Sequence, residues 1–437
     1  MSLFGALNTA ISGLTAQSAA FTNIGDNVAN SQTVGFKRVD TAFEDFLTTS
    51  TAARNESGAV VTTPEYRNSV QGAVTQTDQP LNMAIAGQGF FVVTTQTGTS
   101  SAGPVFAKNP SYTRTGDFAL NKDGYLQNSA GNILNGFVQD PAKSVGVLDL
   151  SQIKPIHINQ SGFSPVATTQ VTLSANLPAT PTGALPIQTQ VQVYDALGQQ
   201  QLLQLAWTPV SGTPSKWQVA ISQPGGGPPI GTASVAFGPT ANPGVPAGTI
   251  GALATVSGAV TGSAYAANGQ ASLSFTTDFG SGPQTIALDL GTFGQANGLT
   301  QFAGTDYVPR ALSQNGVAPG NFSGVTTRAD GQIQINYDTG QSQVVGRVPL
   351  TTFANPDALQ RQNGQAFTAS SLSGPAQTVP VGTSGSGQLV VSAVESSNVD
   401  IANEFAKLIV AQRAYSANTK LVTTADQMLQ ETLDLKR

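Results

Sequence analysis

The chain contains no cysteine, which excludes disulfides, thiolate nucleophiles, zinc–thiolate sites and iron–sulfur clusters together. It has a single histidine, His157, so no multi-histidine metal site can form. That residue lies in the alternating run Ile156-His157-Ile158, where a structural role in a strand is expected. Charge is also scarce. Asp, Glu, Lys and Arg make up 10% of the 437 residues, against roughly 25% in an ordinary soluble protein. A net charge of −5 and a pI near 4.9 leave no basic stripe for a phosphate backbone, so nucleic acid is not expected as a partner. No hydrophobic run is long enough to cross a bilayer, and membrane insertion is not expected. Residues 1–34 carry one charge, Asp26, without the basic start of a secretory signal. A chain of this kind would leave the cell without a cleaved signal peptide.

What is present is ordered in layers. The first segment places Leu3, Leu7, Ala10, Leu14, Gln17, Phe21, Ile24 and Val28 at alternating spacings of four and three, a heptad seam with one polar break. Its other positions are Ser, Thr, Asn, Gln and Ala, and so nearly uncharged a face predicts close packing on several sides. The last segment mirrors the first with Ile401, Phe405, Leu408, Gln412, Tyr415, Thr419, Val422, Asp426, Leu429 and Leu433. Ser397-Asn398-Val399-Asp400 reads as its capping signal, and a helix over about 398–434 is long enough to belong to a coiled coil.

Between the helices the period falls to two. Met83–Ala86 runs through Gly87-Gln88-Gly89 into Phe90–Val93, and Asn121-Lys122-Asp123-Gly124 separates two short apolar pairs; both read as hairpins. Gln332–Tyr337, closed by Asp338-Thr339-Gly340, repeats the pattern late in the chain. The middle is β-like too, with Gln190–Tyr194 and Ala271–Phe275, and Trp217–Thr277 is a run of 61 residues without a charge. The order helix, β, β insert, β, helix predicts a mainly β, nested, multidomain chain with paired terminal coiled-coil helices. The expected divisions are 1–34 with 395–437 as a helical polymerisation domain, 35–80 as a connector, 81–150 with 310–394 as an inner β domain, and 151–309 as an inserted outer β domain.

Enzyme signatures fail. Gly87-Gln88-Gly89 lacks the third glycine of a dinucleotide loop, and Gly225-Gly226-Gly227 is followed by Pro228 and Pro229 rather than the Lys-Ser/Thr of a phosphate loop. The acidic neighbours Glu44-Asp45 and Asp400 with Glu404 fall at positions expected to be exposed or capping, not in a cleft. No catalysis and no cofactor or metal is expected. The specific signal is Asn27-Val28-Ala29-Asn30-Ser31-Gln32-Thr33-Val34-Gly35-Phe36-Lys37. Physically it is a helix exit, in which Asn tolerates left-handed geometry, Gly35 frees the backbone and Phe36 anchors the outgoing chain.

This stretch resembles the signature of the axial proteins of the bacterial flagellum, the rod and hook family, through Ala29, Asn30, Thr33, Gly35, Phe36 and Lys37. The resemblance extends to Ala86–Phe91, Phe353–Pro356, Ser397–Asp400, Ala411–Asn418 and Asp426–Leu429. Asp26 stands where the family more often has Asn, and the middle, 151–309, carries no motif that matches. Rod-type members look like chains of roughly 260 residues with little insertion, so the length here implies a hook-type subunit. The resemblance implies a helical homopolymer forming a curved, hollow tube that serves as a universal joint between rod and filament. It further implies type III export, an extracellular place in the flagellum, and distal rod, hook cap and hook–filament junction proteins as neighbours. Leu3, Leu7, Leu14, Phe21, Ile24, Val28, Ile401, Phe405, Leu408, Tyr415, Val422, Leu429 and Leu433 are the expected polymerisation contacts. A distal rod protein, a secreted β-rich adhesin or glycan-binding module, and a secreted polysaccharide hydrolase are the alternatives.

Overall fold

The computed structural model describes residues 3–51, 54–101, 103–138, 153–224 and 227–434. Residues 139–150 of the expected inner β domain, and the side chains of Leu3 and Leu433, lie outside the described residues. The chain is mostly β with one long helix near each terminus, α1 (Leu3–Ala29) and α2 (Ile401–Asp434). Its contacts gather into two units: Met1–Gln160, Ser323–Asn336 and Ser342–Arg437 form the first, and Ser161–Phe322 with Tyr337–Gln341 the second.

In the first unit, α2 starts where Asp400 Oδ1 accepts the amides of Ala402 (2.9 Å) and Asn403 (3.2 Å). The Ser397 hydroxyl accepts the Val399 amide at 3.3 Å, ahead of the helix. These bonds satisfy amides that have no acceptor inside the helix. α1 ends in overlapping turns, with Ser31 donating to the Val28 carbonyl and Thr33 to that of Asn30. Gly35 then takes φ 69°, and a Cβ there would lie 2.7 Å from the Thr115 amide nitrogen, so glycine is required on two counts.

The segment expected as a connector holds a long hairpin, β1 (Val39–Thr51) paired with β2 (Arg54–Tyr66) from Val39↔Tyr66 to Thr51↔Arg54. Polar residues of α1 bind it: Ser12 Oγ accepts the Val60 amide at 3.0 Å, and Asn23 Nδ2 donates to Thr41 Oγ1 at 2.8 Å. Its sequence shows no clean alternation: the face of Thr41, which meets α1, also carries the exposed Phe43, and the opposite face leaves Val61 exposed. The uncharged face of α1 therefore carries a strand hairpin on one side and α2 on another.

The β part of this unit is organised on Phe90–Ser100, which pairs with Ser111–Thr113, Asn132–Val138 and Pro349–Thr352. Phe90 sits edge-to-face on Phe353 and Phe367 in the core. The hairpin expected across Gly87-Gln88-Gly89 does not form. Met83–Ala86 instead pairs with Gln388–Val391, and the Gly387 amide donates to the Gln88 carbonyl at 2.6 Å. A strand arriving from the far end of the sequence captures the first arm, a non-local pairing that local turn chemistry cannot announce. The Asn121–Gly124 turn does join paired strands, Ala119–Leu120 and Leu126–Gln127.

The second unit is built from a five-stranded antiparallel meander and a six-stranded mixed sheet that share one apolar core. Inward positions alternate along several strands, as in Lys216–Ser222, where Trp217, Val219 and Ile221 are buried. The strand Val308–Gln314 pairs antiparallel with Gln170–Asn176, so the expected boundary at 309/310 falls inside a strand of this sheet. Six of its seven residues are exposed, and an edge strand with no buried face leaves no periodic signal in sequence.

The candidate assembly face and its ionic root

Two of the family-motif residues, Gly35 and Lys37, meet a buried ionic cluster. Lys37, 1% exposed, donates to Glu395 Oε1 at 2.5 Å and to the Val70 carbonyl at 2.6 Å. Arg114 Nη1 donates to Glu395 Oε2 at 3.0 Å, and its Nη2 to the Gly87 carbonyl at 2.7 Å. The Gly72 amide completes the carboxylate's shell at 2.8 Å, and the Gly35 amide binds the Glu395 backbone carbonyl at 2.7 Å. Two cations thus share one fully buried acid. Burial pushes the Lys37 amine below its usual range despite Glu395, and lowers Arg114 in the same way. Phe36 lies under the Arg361 guanidinium, 5.1 Å from its ring centre, and Arg361 also donates to the Lys37 carbonyl. Asn30 folds back on Asp26 and accepts from Thr33 Oγ1, while Ala29 is exposed.

A second network joins α1, the hairpin root and α2. Asn27, 1% exposed, takes the place of a strand partner for Val39, accepting its amide and donating to its carbonyl, both at 2.9 Å, and also donates to Glu404 Oε2 at 3.1 Å. Lys407 donates to Asp40 Oδ1 at 2.6 Å and Glu404 Oε1 at 2.7 Å, and Arg67 donates to Asp40 Oδ2 at 3.1 Å. Burial alone would raise the Asp40 carboxyl, but the hydrogen bonds from Lys407 and Arg67 outweigh it and hold the group below its usual range. Burial likewise opposes charge on Lys407, and its bonds to Asp40 and Glu404 nevertheless raise it. Asn398 closes the knot: its Oδ1 accepts the Arg38 amide at 2.7 Å, and its Nδ2 donates to the Arg67 and Val70 carbonyls.

Above this root α1 and α2 pack together through a seam rotated from the one the heptads predict. On α2 the covered positions are Glu404, Leu408, Ala411, Asn418, Val422, Ala425 and Leu429, whereas Phe405, Gln412, Thr419 and Asp426 face outward. Ile401 and Tyr415 are also exposed, although Tyr415 meets Phe21 edge-to-face at 6.2 Å. On α1 the deepest positions are Ala10, Gly13, Ala16, Ala20, Ile24 and Asn27, with Leu7, Leu14, Phe21 and Val28 half-buried. Alanine and glycine let the helices approach closely. A Cβ on Gly13 would come within 2.9 Å of Asn418 Nδ2. A count of large apolar residues misses this, because the inward residues are the small ones and several large ones point out.

A cleft of about 590 Å3 lies beside the seam, between α2 and the hairpin root. Its floor is Ala20, Ile24 and Ala411, its apolar walls are Phe43, Ala406, Val410 and Ala414, and its polar end is Arg38, Asp40, Glu65, Arg67, Glu404 and Lys407. Glu395, Arg114, Asp40 and Lys407 have no counterpart among the residues that the sequence patterns point to, and Asn27 stands there only as a residue of the helix exit. The available signal was a charge at an inward position of a short strand, as for Glu395 in Ala393-Val394-Glu395.

Comparison with known proteins covers the whole length. Family models match in four places: the flagella basal body rod protein model at residues 7–37, the flagellar hook protein FlgE/F/G D1 domain at 84–175, the flagellar basal body protein FlaE D2 domain at 166–317, and the flagellar basal body rod FlgEFG protein C-terminal model at 391–435. The chain is 32% identical to the flagellar hook protein FlgE of Brucella abortus, over all of both chains. It is 28% identical to that of Escherichia coli K12, over 99% of this chain and all of the relative. The crystal structure of the Helicobacter pylori flagellar hook protein FlgE2 shares the fold, with a TM-score of 0.50 at 15% identity over 74% of this chain and all of that one. Matched over its whole length to the Brucella abortus hook protein at 32% identity, the protein belongs to the flagellar hook protein family.

Proposed function

We propose that the chain is the structural subunit of the bacterial flagellar hook, polymerising into a curved hollow tube that acts as a universal joint and passes torque from rod to filament. The observation that carries this is the end-to-end match to hook proteins at 32% identity, insert included. In this reading α1 and α2 line the inner tube around the export channel. Bending needs neighbours that slide. Small neutral side chains permit several registers, whereas buried ion pairs permit few. The subunit meets copies of itself along the tube, the distal rod and the hook–filament junction at its ends, and the hook cap during growth. It reaches its extracellular place through the flagellar type III apparatus. Electron microscopy of the concentrated, polymerised chain tests the reading. Curved hollow tubes are expected; straight tubes would favour a rod protein, and glycan binding by a chain that never polymerises would favour an adhesin.

A further inference from the structure

Two surfaces of α2 are left over once its seam with α1 is accounted for. Ile401, Phe405 and Ile409, spaced i, i+4, i+8, are 43, 52 and 49% exposed and form one apolar stripe. The other surface is the cleft, whose mouth carries Phe43, 48% exposed, and Val410, 67% exposed, over a floor of Ala20 and Ile24. At about 100° per residue the cleft-lining Ala406, Val410 and Ala414 lie on the flank of α2 opposite the stripe. The stripe therefore cannot enter the cleft of its own chain.

Resting on the hook-subunit reading above, we propose that the polymer grows by a head-to-tail contact in which the Ile401–Phe405–Ile409 stripe of one copy seats in the cleft between α2 and the β1–β2 root of the next. Charge favours this occupant. The ionic groups at the polar end, three cations and three acids (Arg38, Arg67 and Lys407; Asp40, Glu65 and Glu404), balance one another, so the cleft presents no net charge. The stripe has none to offer, and a basic or acidic partner would leave a charge uncompensated. Symmetry points the same way. Stripe against stripe would pair two copies and stop, whereas stripe into cleft uses two different surfaces of each copy and leaves one of each free to continue, as an open helical polymer requires.

The absence of native cysteine makes the test clean. Phe405→Cys chains and Phe43→Cys chains are polymerised in equal mixture and oxidised. Covalent dimers are expected from the mixture and none from either variant alone. Dimers from Phe405→Cys alone would mean that stripes meet stripes, and tubes containing both variants without cross-links would mean that the cleft is empty; either overturns the proposal. Phe405→Ser supplies the second measurement. With the helical circular dichroism of the monomer unchanged, the critical concentration for tube formation is expected to rise about tenfold or more, from the loss of one buried aromatic side chain per contact. An unchanged critical concentration overturns the proposal. Failure of the unaltered chain to form tubes would instead count against the hook reading itself.

Discussion

The root of the terminal helices and the core of the second unit solve the same problem with opposite materials. In the second unit Trp207, Trp217, Leu273 and Phe275 pack in an apolar interior, and the acids Asp195, Asp278, Asp289 and Asp338 accept hydrogen bonds from amides, not from cations. At the root, Glu395 is shared by Lys37 and Arg114, and Asp40 by Lys407 and Arg67. Apolar packing is indifferent to direction, whereas ions with several fixed partners admit one geometry. The root is where the two ends of the chain must meet in register: the end of α1 and the hairpin base from one, the strand before α2 and the start of α2 from the other. The chain concentrates its few charges there.

The largest effect is expected at Glu395. Glu395→Ala leaves two buried cations without their anion, and the first unit is expected to lose about 4 kcal/mol. Glu395→Gln, which keeps an acceptor, should lose less. Both tryptophans lie in the second unit and both long helices in the first, so the two can be followed separately. Helical circular dichroism should melt earlier while the tryptophan fluorescence midpoint stays in place; a joint shift of both signals would show that the root is not a local device. Leu273→Ala is the counterpart. Truncating a fully buried leucine in the sandwich should cost about 3 kcal/mol, visible in fluorescence and not in the helical signal.

A smaller effect separates the units by pH. Asp40 is held below its unfolded value, so its contribution is present above that value and is lost as pH falls through the folded one. Lys407 is raised, so its contribution is present below its unfolded value and is lost as pH rises through the folded one. Lys37 is lowered, so its buried charge disfavours folding at neutral pH and the penalty is relieved as pH rises. The two lysines oppose each other in alkali, and the acid limb is therefore the clean one. The helical signal should lose about 1 kcal/mol or less between neutral pH and the acid side of Asp40, because the group is partly solvent-screened. Asp40→Asn should flatten that limb. A limb of the same depth in the Asn variant assigns it to other acids.

How much of this was legible in sequence follows the same division. The fold class and both helices are local patterns, and so were visible; Asp400 capping α2 and Gly35 at the exit of α1 are side-chain and backbone preferences readable from a few residues. The seam was misplaced because Ala411, Ala425 and Gly13 carry it, and small residues register weakly in any hydrophobic count. The β1–β2 hairpin was hidden because one of its sides meets Ser12, Asn23 and Asn27 of α1 rather than an apolar core. Lys37 was selected as a motif letter, but its partner Glu395 is 358 positions away, and neither residue alone says that it is buried.

The smallest expected effect concerns salt, and it sharpens the comparison most selectively. Raising sodium chloride from about 0.1 M to about 1 M shrinks the Debye length from about 10 Å to about 3 Å, which weakens exposed ion pairs and leaves apolar burial intact or strengthened. In the first unit the affected pairs are Arg67 with Glu65, whose side chains are 36% and 45% exposed, and Lys407 with Asp40, at 35% and 16%. The Lys37–Glu395–Arg114 cluster is too deeply buried to be screened. The helical midpoint is therefore expected to fall by the equivalent of a few tenths of a kcal/mol, and Glu65→Gln should remove part of that fall. The second unit holds its carboxylates with amide and hydroxyl donors, so its fluorescence midpoint should stay level or rise. A fluorescence midpoint that falls with salt while the helical one holds would mean that ionic contacts support the sandwich, and the contrast between the two regions would be drawn the wrong way round.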